Sequence, residues 1–168
     1  MSIEMGFVRG VKFAAIIAAT LTLGACASQQ DSAGDGAGGL GGAGAATPGS
    51  QQDFVVNVGD RIFFANDSSD VAAEARTTLD RQAGWLAKYP RYAVTIEGHA
   101  DERGTREYNI ALGARRAAAA RDYLISRGVP STRLKTISYG KERPVAVCDE
   151  ESCWSQNRRA VTVLGGAN

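Results

Sequence analysis

Apolar positions along residues 53–168 recur with the periods of strands and helices, and this pattern predicts one α/β domain. Short apolar runs at 54–58 and 61–64, separated by Gly59-Asp60, predict a β-hairpin. Strict alternation at 93–97 predicts a half-buried strand, with every second side chain facing a core. Further strands are predicted at residues 136–139 and 159–164.

Two longer stretches repeat apolar residues at every third or fourth position, which is the spacing of an amphipathic helix. They cover residues 71–86 and 105–123, and Gly128 is placed for a left-handed cap after the second. A shorter helical turn is predicted near residues 149–156. Strands that alternate with helices predict a small α/β sandwich, in which the helices pack on one side of a mixed sheet.

The first 26 residues have the pattern of an export signal, in which two basic residues precede the apolar run 13–23. Eleven residues rise only about 16 Å as a helix, roughly half of a bilayer core, which argues against a membrane span. The ending Leu23-Gly-Ala-Cys26 resembles the bacterial lipobox. We therefore expect residues 1–25 to be a signal peptide and Cys26 to be acylated. An ordinary signal in which Cys26 is incidental is the alternative.

Residues 26–52 are rich in glycine and alanine and contain one sizeable apolar side chain, Leu40. Such a segment buries too little surface to offset its ordering entropy, so we predict a flexible tether. Its typical reach, from about 5–6 Å times the square root of its length, is about 25–30 Å.

Charge and cysteine content narrow the function classes. The chain has 19 Lys or Arg and 18 Asp or Glu, so the sequence predicts no basic face and no nucleic-acid partner. Cys148 and Cys153 lie five residues apart in a chain predicted to be exported, and we expect them to form a disulfide that pins the turn before Asn157. Two separate thiols are the alternative.

His99, the one histidine, stands in the polar stretch 98–105 beside two carboxylates and an arginine. A metal site of the usual kind needs a second imidazole, so we predict neither a metal nor a cofactor. A hydrolytic triad needs an activated nucleophile, and a glycosidase needs a carboxylate pair such as Glu97 with Asp101 or Glu102. No residue supplies an activated group, so we predict that the protein is not an enzyme. The simplest alternative is that His99 hydrogen-bonds the sheet edge.

Asn109 and Arg116 lie seven residues apart, two helical turns, and therefore share a helix face. Asp101 stands in the loop that leads into the same helix. We expect these side chains to line one groove that takes a ligand with both an ammonium and a carboxylate. In this interpretation Asp101 binds the cation and Arg116 forks onto the carboxylate.

The stretch VTIEGHADERGTREYNIALGARRAAAARDYL resembles the core of the OmpA-like peptidoglycan-binding domain family. ISYGKERPVAVCDEESCWSQNRRAVTVL and DRIFFANDSSDV are similar to two further segments of that family, so the resemblance covers residues 53–164. Two features depart from the family pattern: the run from Phe64 to Asp67 contains Ala65-Asn66, and the Cys148/Cys153 pair is additional.

The resemblance implies an α+β fold with a mixed four-stranded sheet, and two main helices and a short helix packed on one side. It implies a non-enzymatic clamp on the peptidoglycan stem peptide, with meso-diaminopimelate as the ligand. The ligand-binding residues that it implies are Asp101 and Arg116 as main contacts, Asn109 in the site, Phe64 and Asp67 at the rim, and Asn157 and Arg158 in the last loop. His99 is implied to be a supporting or rim residue.

With the lipobox and tether, the wording GHADERGTxEYN is similar to the lipoprotein branch of the family that acts in the Tol–Pal system. This implies a lipid-anchored protein of the outer membrane that faces the periplasm, with TolB as a partner and a role in envelope integrity and outer-membrane constriction at division. A lipoprotein of the same fold that binds the wall without TolB, and a wall hydrolase, are the competing interpretations.

Overall fold

A computed structural model describes residues 46–167 of the chain. The predicted signal peptide, the acylation at Cys26 and residues 26–45 of the predicted tether lie outside the described residues. Within residues 46–167 no helix has the length and apolar content needed to cross a bilayer.

Four strands form one mixed sheet in the order β1–β4–β2–β3. β4 pairs antiparallel with both β1 and β2, whereas β2 and β3 run parallel. Parallel neighbours need a crossover connection, and the helix between β2 and β3 supplies it. The predicted mixed four-stranded sheet is confirmed. The strands are β1 (Arg61–Phe63), β2 (Tyr92–His99), β3 (Leu134–Gly140) and β4 (Arg159–Ala167).

The two main helices match the predicted amphipathic stretches. Thr105 caps the second, because its hydroxyl accepts a hydrogen bond from the backbone N–H of Tyr108 at 3.2 Å. Gly128 follows that helix with φ +91°, the left-handed conformation expected of it. The helices are α1 (Gln51–Asp53), α2 (Ala73–Lys88), α3 (Arg106–Ser126) and α4 (Glu151–Asn157), with a 3-10 turn at Ser131–Arg133.

The core lies between the helices and one face of the sheet. Leu79 and Leu86 of α2 and Leu124 of α3 are fully buried. From the sheet, Val94 and Ile96 of β2 meet them, while the alternate positions of β2 face away. The alternation at residues 93–97 therefore marks the core face as predicted.

The predicted strand at 54–58 is wrong. These residues form a π-helical turn that continues α1. Ser50 caps α1 by accepting from the N–H of Asp53 at 3.0 Å, and the Asp53 carboxylate accepts from the indole N–H of Trp85 at 2.8 Å. Phe54 packs edge-on against the same indole at 4.9 Å. These contacts stabilise a helical turn in place of a strand, and β1 pairs with β4 instead of forming a hairpin.

Residues 46–52, at the end of the predicted tether, contact the domain. The carbonyl of Gly49 accepts hydrogen bonds from the Tyr92 hydroxyl and from the Arg91 guanidinium, both at 2.8 Å. The Gly49 N–H donates to Asp53 at 2.8 Å. Ordered contacts of the domain therefore begin several residues before residue 53.

Two glycines allow a close approach of α3 to β2. A Cβ on Gly98 would lie 1.8 Å from the carbonyl oxygen of Gly113, and a Cβ on Gly113 would lie 2.4 Å from Oγ of Ser138. Real Cβ atoms do not approach other atoms this closely, so both positions require glycine. This contact seats the first half of α3, which carries Asn109 and Arg116, directly on the end of β2.

Candidate functional site: a charged groove around Asp101

A groove of about 290 Å³ opens where β2 passes through residues 100–105 into α3. Side chains from this loop and from the first turns of α3 form one part of its wall. The segment after β1 forms the other part. The residues that line this Asp101 groove are Asn66, Asp67, Asp101, Arg103, Gly104, Tyr108, Asn109 and Leu112.

Asp101 is 7% exposed and accepts hydrogen bonds from two arginines. Arg103 donates from Nη2 at 2.7 Å, from Nε at 3.3 Å and from its backbone N–H at 3.2 Å, and Arg158 donates from Nη1 at 3.5 Å. Burial raises the pKa of Asp101, but the hydrogen bonds and charge of Arg103 and the bond from Arg158 outweigh burial and hold that pKa below its usual value. Asp101 is therefore an anion at neutral pH.

Arg103 is a groove residue that the sequence analysis did not assign. Besides its bonds to Asp101, its Nη2 donates to the Asn66 side-chain oxygen at 2.6 Å. Its guanidinium carbon lies 4.1 Å from the centre of the Trp154 ring, the geometry of a cation–π contact. The arginine therefore bridges the loop, the segment after β1, and α4.

Arg116 differs from the prediction, because it lies beneath the groove and not in its wall. Its side chain is fully buried and donates to three backbone carbonyls, those of Ser68 at 2.8 Å, His99 at 2.9 Å and Ala65 at 3.1 Å. Burial lowers its pKa to about 10, although Asp101 acts in the opposite direction. Arg116 therefore stays charged at neutral pH and ties the segment after β1 to the end of β2.

The other residues predicted near the rim have separate positions. Asp67 and Asn109 line the groove, whereas Phe64 is buried beneath it with its ring 5.3 Å from the Arg116 guanidinium. Asp67 has φ +51° and accepts a hydrogen bond from the Tyr108 hydroxyl. Asn109 is buried and donates to the carbonyl of Arg103 at 2.7 Å, which fixes the loop. Phe64 is thus a floor residue and not a rim residue.

Asn157 and Arg158 support the groove from the last loop without lining it. Arg158 is buried, donates to Asp101 and to the Phe64 carbonyl, and pairs with Glu151 at the start of α4. Asn157 is buried and accepts from the N–H groups of Val145 at 2.9 Å and Ala146 at 3.2 Å. The pair holds α4 and the preceding loop against the Asp101 side of the groove.

A second cavity of about 360 Å³ adjoins the groove on the far side of Glu102, between Lys141 and the loop 144–149. Cys148 and Cys153 form a disulfide there, with Cα atoms 5.7 Å apart, which closes the loop that leads into α4. Trp154 donates from its indole to Glu102 at 2.5 Å.

His99 is buried at the end of β2, with its ring 5.6 Å from that of Tyr139. Its backbone carbonyl accepts from Arg116, which makes it a support of the site. Neither ring nitrogen has a hydrogen-bond partner among the described residues, and the nearest carboxylate, Glu97, is 3.8 Å from Nε2. Burial, with smaller effects from Arg159 and Arg143, lowers the pKa of His99 to about 4. The imidazole is therefore neutral at pH 7.

The part of the chain that the structure describes contains no cluster of three or more His, Cys, Asp or Glu side chains able to hold a metal ion. The arrangement around Asp101 is instead that of a binding site for a charged organic group. Its anion is held by two arginines, and most of the residues that line it are polar. Each nitrogen of the Arg116 guanidinium beneath it donates a hydrogen bond to a backbone carbonyl.

Known proteins resemble this chain in sequence and in fold. The model of the OmpA family matches residues 63–158. The chain is 76% identical over 149 residues to a peptidoglycan-associated lipoprotein of Rhizobium meliloti (strain 1021), which covers 88% of this chain and 84% of the relative. It is 70% identical over 158 residues to the protein of the same name from Agrobacterium fabrum (strain C58 / ATCC 33970), covering 91% and 88%.

The chain belongs to the OmpA family and, within it, to the peptidoglycan-associated lipoproteins. The crystal structure of the peptidoglycan-associated lipoprotein from Burkholderia pseudomallei has the same fold, with a TM-score of 0.62 and 40% sequence identity over 63% of this chain and 90% of that chain. Membership of the OmpA family confirms the prediction that the chain is not an enzyme.

Within this OmpA-family site, the sequence analysis identified Asp101, Asp67 and Asn109, which line the groove. It missed Arg103 and Tyr108 in the wall and Glu151 and Trp154 behind it. Arg103 stands two residues after Asp101 in the sequence, a spacing at which a loop can fold a side chain back onto its neighbour. That spacing was the available signal.

Proposed function

We propose that the protein binds the peptidoglycan stem peptide non-covalently at meso-diaminopimelate and so holds the outer membrane to the cell wall. The observation that carries this proposal is Asp101, a mostly buried carboxylate that stays ionised at the bottom of an open groove. An ammonium group that binds there displaces a charge-assisted hydrogen bond from an arginine to Asp101 and forms an equivalent one in its place. The names of the relatives, which are peptidoglycan-associated lipoproteins, support the same ligand class.

The other residues predicted for the site have supporting roles in this proposal. Asp67 and Asn109 shape the wall next to the ligand, and Arg158 holds Asp101 from behind. Arg116 and Phe64 form the floor, and Asn157 fixes the loop beside α4. Such supports keep the contacting groups in one geometry, which lowers the ordering cost of binding.

The anchor in this proposal is a lipid on Cys26, followed by a tether from residue 26 to about residue 46. Several acyl chains on one residue give stable membrane attachment, where a single chain gives marginal binding. About twenty residues of glycine-rich chain reach about 25 Å, which lets the domain search the wall from the membrane surface. In this proposal the lipid holds the domain at the periplasmic face of the outer membrane.

TolB is the protein partner that we propose, within the Tol–Pal system and its role in outer-membrane constriction at division. The support is the sequence resemblance together with the open position of the groove, which a protein surface can cover. If TolB covers the Asp101 groove, then TolB and peptidoglycan compete for the protein. A lipoprotein that binds the wall without TolB is the second candidate.

The test is co-sedimentation of the full-length chain, in mild detergent, with purified sacculi of the diaminopimelate type. The wild-type protein should sediment with the sacculi, and Asp101→Asn should bind about ten- to a hundredfold more weakly, the worth of one charged hydrogen bond. Asp122→Asn is the matched control, since Asp122 is exposed on α3 about 20 Å along the helix from Asn109.

Added TolB should release the wild-type protein from the sacculi. Sedimentation that TolB leaves unchanged, with no TolB retained by the protein, would select the second candidate. Equal sedimentation of wild type and Asp101→Asn would contradict the groove as the binding site. No soluble muropeptides should be released, and their release would contradict a purely binding role.

A further inference from the structure

Residues 46–49, which follow the predicted tether, lie at the end of the domain opposite the Asp101 groove. They contact the start of β2, where the Gly49 carbonyl accepts hydrogen bonds from Arg91 and Tyr92, both at 2.8 Å. From there β2 extends over eight residues to His99 beside the groove, a length of about 26 Å. α3 returns over 21 residues from the groove to the first end, a length of about 30 Å. The tether and the groove are therefore separated by about the length of the domain.

The loops at the tether end carry only basic charges. This end is formed by residues 46–49, 88–91 and 127–133, and we call it the tether pole. Its three segments contain no Asp or Glu and four basic residues, which are Lys88, Arg91, Arg127 and Arg133. The loops at the groove end contain seven Asp or Glu and three Lys or Arg, counted over residues 64–72, 100–105 and 141–150. The domain thus has a positive end and a negative end.

The basic residues of the tether pole differ in how far neighbouring groups neutralise them. Lys88 and Arg91 are exposed, and neither pairs with a carboxylate among the described residues. Arg91 donates to the Gly49 carbonyl, so its charge is held at the surface without being neutralised. Arg127 pairs with Asp80 at 2.8 Å and contributes less. Lys88 and Arg91 are therefore the main cations that this pole presents to a partner.

A cavity of about 300 Å³ beside the tether pole extends this basic surface along α2. Arg81 and Lys88 line it, two helical turns apart on one face of α2, and Trp85 lies between them. The Arg81 side chain donates to the Thr78 hydroxyl at 3.2 Å and pairs with no carboxylate of the described residues. The Asp53 carboxylate near this end accepts the indole N–H of Trp85 at 2.8 Å. Two cations therefore border the cavity, and Arg and Lys are side chains that bind phosphate groups.

We propose that the tether pole, with the cavity beside it, is a membrane-contacting surface that binds anionic phospholipid headgroups. Two observations select this occupant. Residues 46–49 join the pole to the tether that leads to Cys26, and the charge of the pole is opposite to that of an anionic leaflet. The inference rests on the proposed function, which supplies the acyl chains on Cys26.

Contact with the membrane at this pole fixes the orientation of the domain. The acyl chains already hold the protein at the membrane, so the basic residues decide which end of the domain faces the headgroups. Each Lys or Arg within about 8–10 Å of an anionic surface favours contact by about fivefold. The same surface repels the acidic loops at the groove end. The Asp101 groove is then held about 25–30 Å from the headgroups and opens away from the membrane, towards the wall.

The two tryptophans of the chain report this orientation, because Trp85 lines the cavity at the tether pole and Trp154 contacts Arg103 at the groove. The acylated protein is bound to phosphatidylcholine vesicles that carry a nitroxide on the lipid headgroup, with or without about a quarter of phosphatidylglycerol. The nitroxide quenches tryptophan fluorescence only at short range. Trp154→Phe leaves Trp85 as the single reporter, and its difference from the wild-type protein gives the signal of Trp154.

Two double variants with the same change in net charge are compared in the Trp154→Phe background. Arg81→Glu/Lys88→Glu reverses the cations beside the tether pole. Arg76→Glu/Arg106→Glu is the matched control, because both residues are exposed and lie in the first turns of α2 and α3, at the groove end. Thermal unfolding checks that each variant remains folded.

Phosphatidylglycerol should increase the quenching of Trp85 and leave Trp154 unquenched. Arg81→Glu/Lys88→Glu should lower the ratio of docked to undocked protein by about a hundredfold or more, which returns the quenching of Trp85 to its level on phosphatidylcholine. Salt at about 1 M should have the same effect, because the Debye length is then about 3 Å. The control variant should be quenched as strongly as its parent.

Equal quenching of Trp85 with and without phosphatidylglycerol overturns the inference, and the basic pole is then left to an acidic protein surface. Full quenching in Arg81→Glu/Lys88→Glu, or equal quenching of Trp85 and Trp154, also overturns it. In each of these cases the protein still floats with the vesicles and sediments with sacculi, so the proposed function stands. Failure of the wild-type protein to float with either vesicle contradicts the lipid anchor itself, and with it the inference.

Discussion

Replacement of Gly113 by alanine tests the contact that seats α3 on the sheet. A Cβ at this position would lie 2.4 Å from Oγ of Ser138 and 2.9 Å from the carbonyl oxygen of Gly98. The Ser138 hydroxyl cannot move freely, because it donates to the Ile110 carbonyl at 2.7 Å and accepts from Gly140 at 3.2 Å. The substitution must therefore push the helix away or break these hydrogen bonds.

Two opposing effects set the size of the change in the free energy of unfolding. At an exposed position inside a helix, alanine is more favourable than glycine by about 0.8–1.0 kcal/mol. Overpacking costs about 1–3 kcal/mol, and each hydrogen bond lost at Ser138 costs about 0.5–1.5 kcal/mol. The free energy of unfolding should therefore fall by about 1–3 kcal/mol. For a domain of this size, this corresponds to a melting temperature lower by roughly 4–12 °C.

The assay is thermal and urea unfolding of wild type, Gly113→Ala and Gly84→Ala. Gly84 is the matched control, since it also lies within a helix and a Cβ there would meet no atom within 4 Å. Gly84→Ala should raise the free energy of unfolding by up to about 1 kcal/mol. If Gly113→Ala stabilises the protein as Gly84→Ala does, the close approach of α3 and β2 described above is wrong.

Three further predictions concern other parts of the chain. Cys26→Ala should be released from membranes by gentle washing, and unchanged membrane partitioning would place the anchor elsewhere. Mass spectrometry of non-reduced periplasmic protein should find Cys148 joined to Cys153, and reduction should weaken peptide binding more than it lowers stability; two free thiols would exclude the bond. Burial lowers the pKa of His99 from 6.5 to about 4, so the unfolded chain binds a proton more tightly than the folded domain does. The contribution of His99 to the free energy of unfolding should therefore be complete above pH 6.5 and should fall, by about 3 kcal/mol at most, as the pH falls towards 4. His99→Phe should flatten this slope, and an unchanged slope would assign it to other groups.

Much of the fold could be predicted because local patterns and tertiary structure agree. Thr105 is a good N-cap residue, the following helix buries one face, and Gly128 ends it. At residues 54–58 the local pattern and the tertiary structure disagree, since a run of Phe and Val has a high strand propensity. The contacts of Asp53 and Phe54 with Trp85, more than thirty residues away, decide the conformation there. No local pattern reports such a contact.

The same limit applies to the site. Helical periodicity correctly places Asn109 and Arg116 on one face, but it does not give the depth at which that face is buried. The glycine contact between α3 and β2 brings this face so close to the sheet that Arg116 is sealed beneath the groove. The position of Arg103 depends on a loop in which Gly104 has φ +83°, and on Trp154 from α4. Both are tertiary features.

The most direct test of the central claim is binding of the soluble tripeptide L-alanyl-γ-D-glutamyl-meso-diaminopimelate to the full-length protein and to Asp101→Asn, measured side by side by calorimetry. We predict saturable binding at one site of the wild-type protein and an affinity at least about tenfold weaker for Asp101→Asn, because the ammonium loses its charged partner. Equal affinities in the two proteins, or no binding by the wild-type protein, would contradict it.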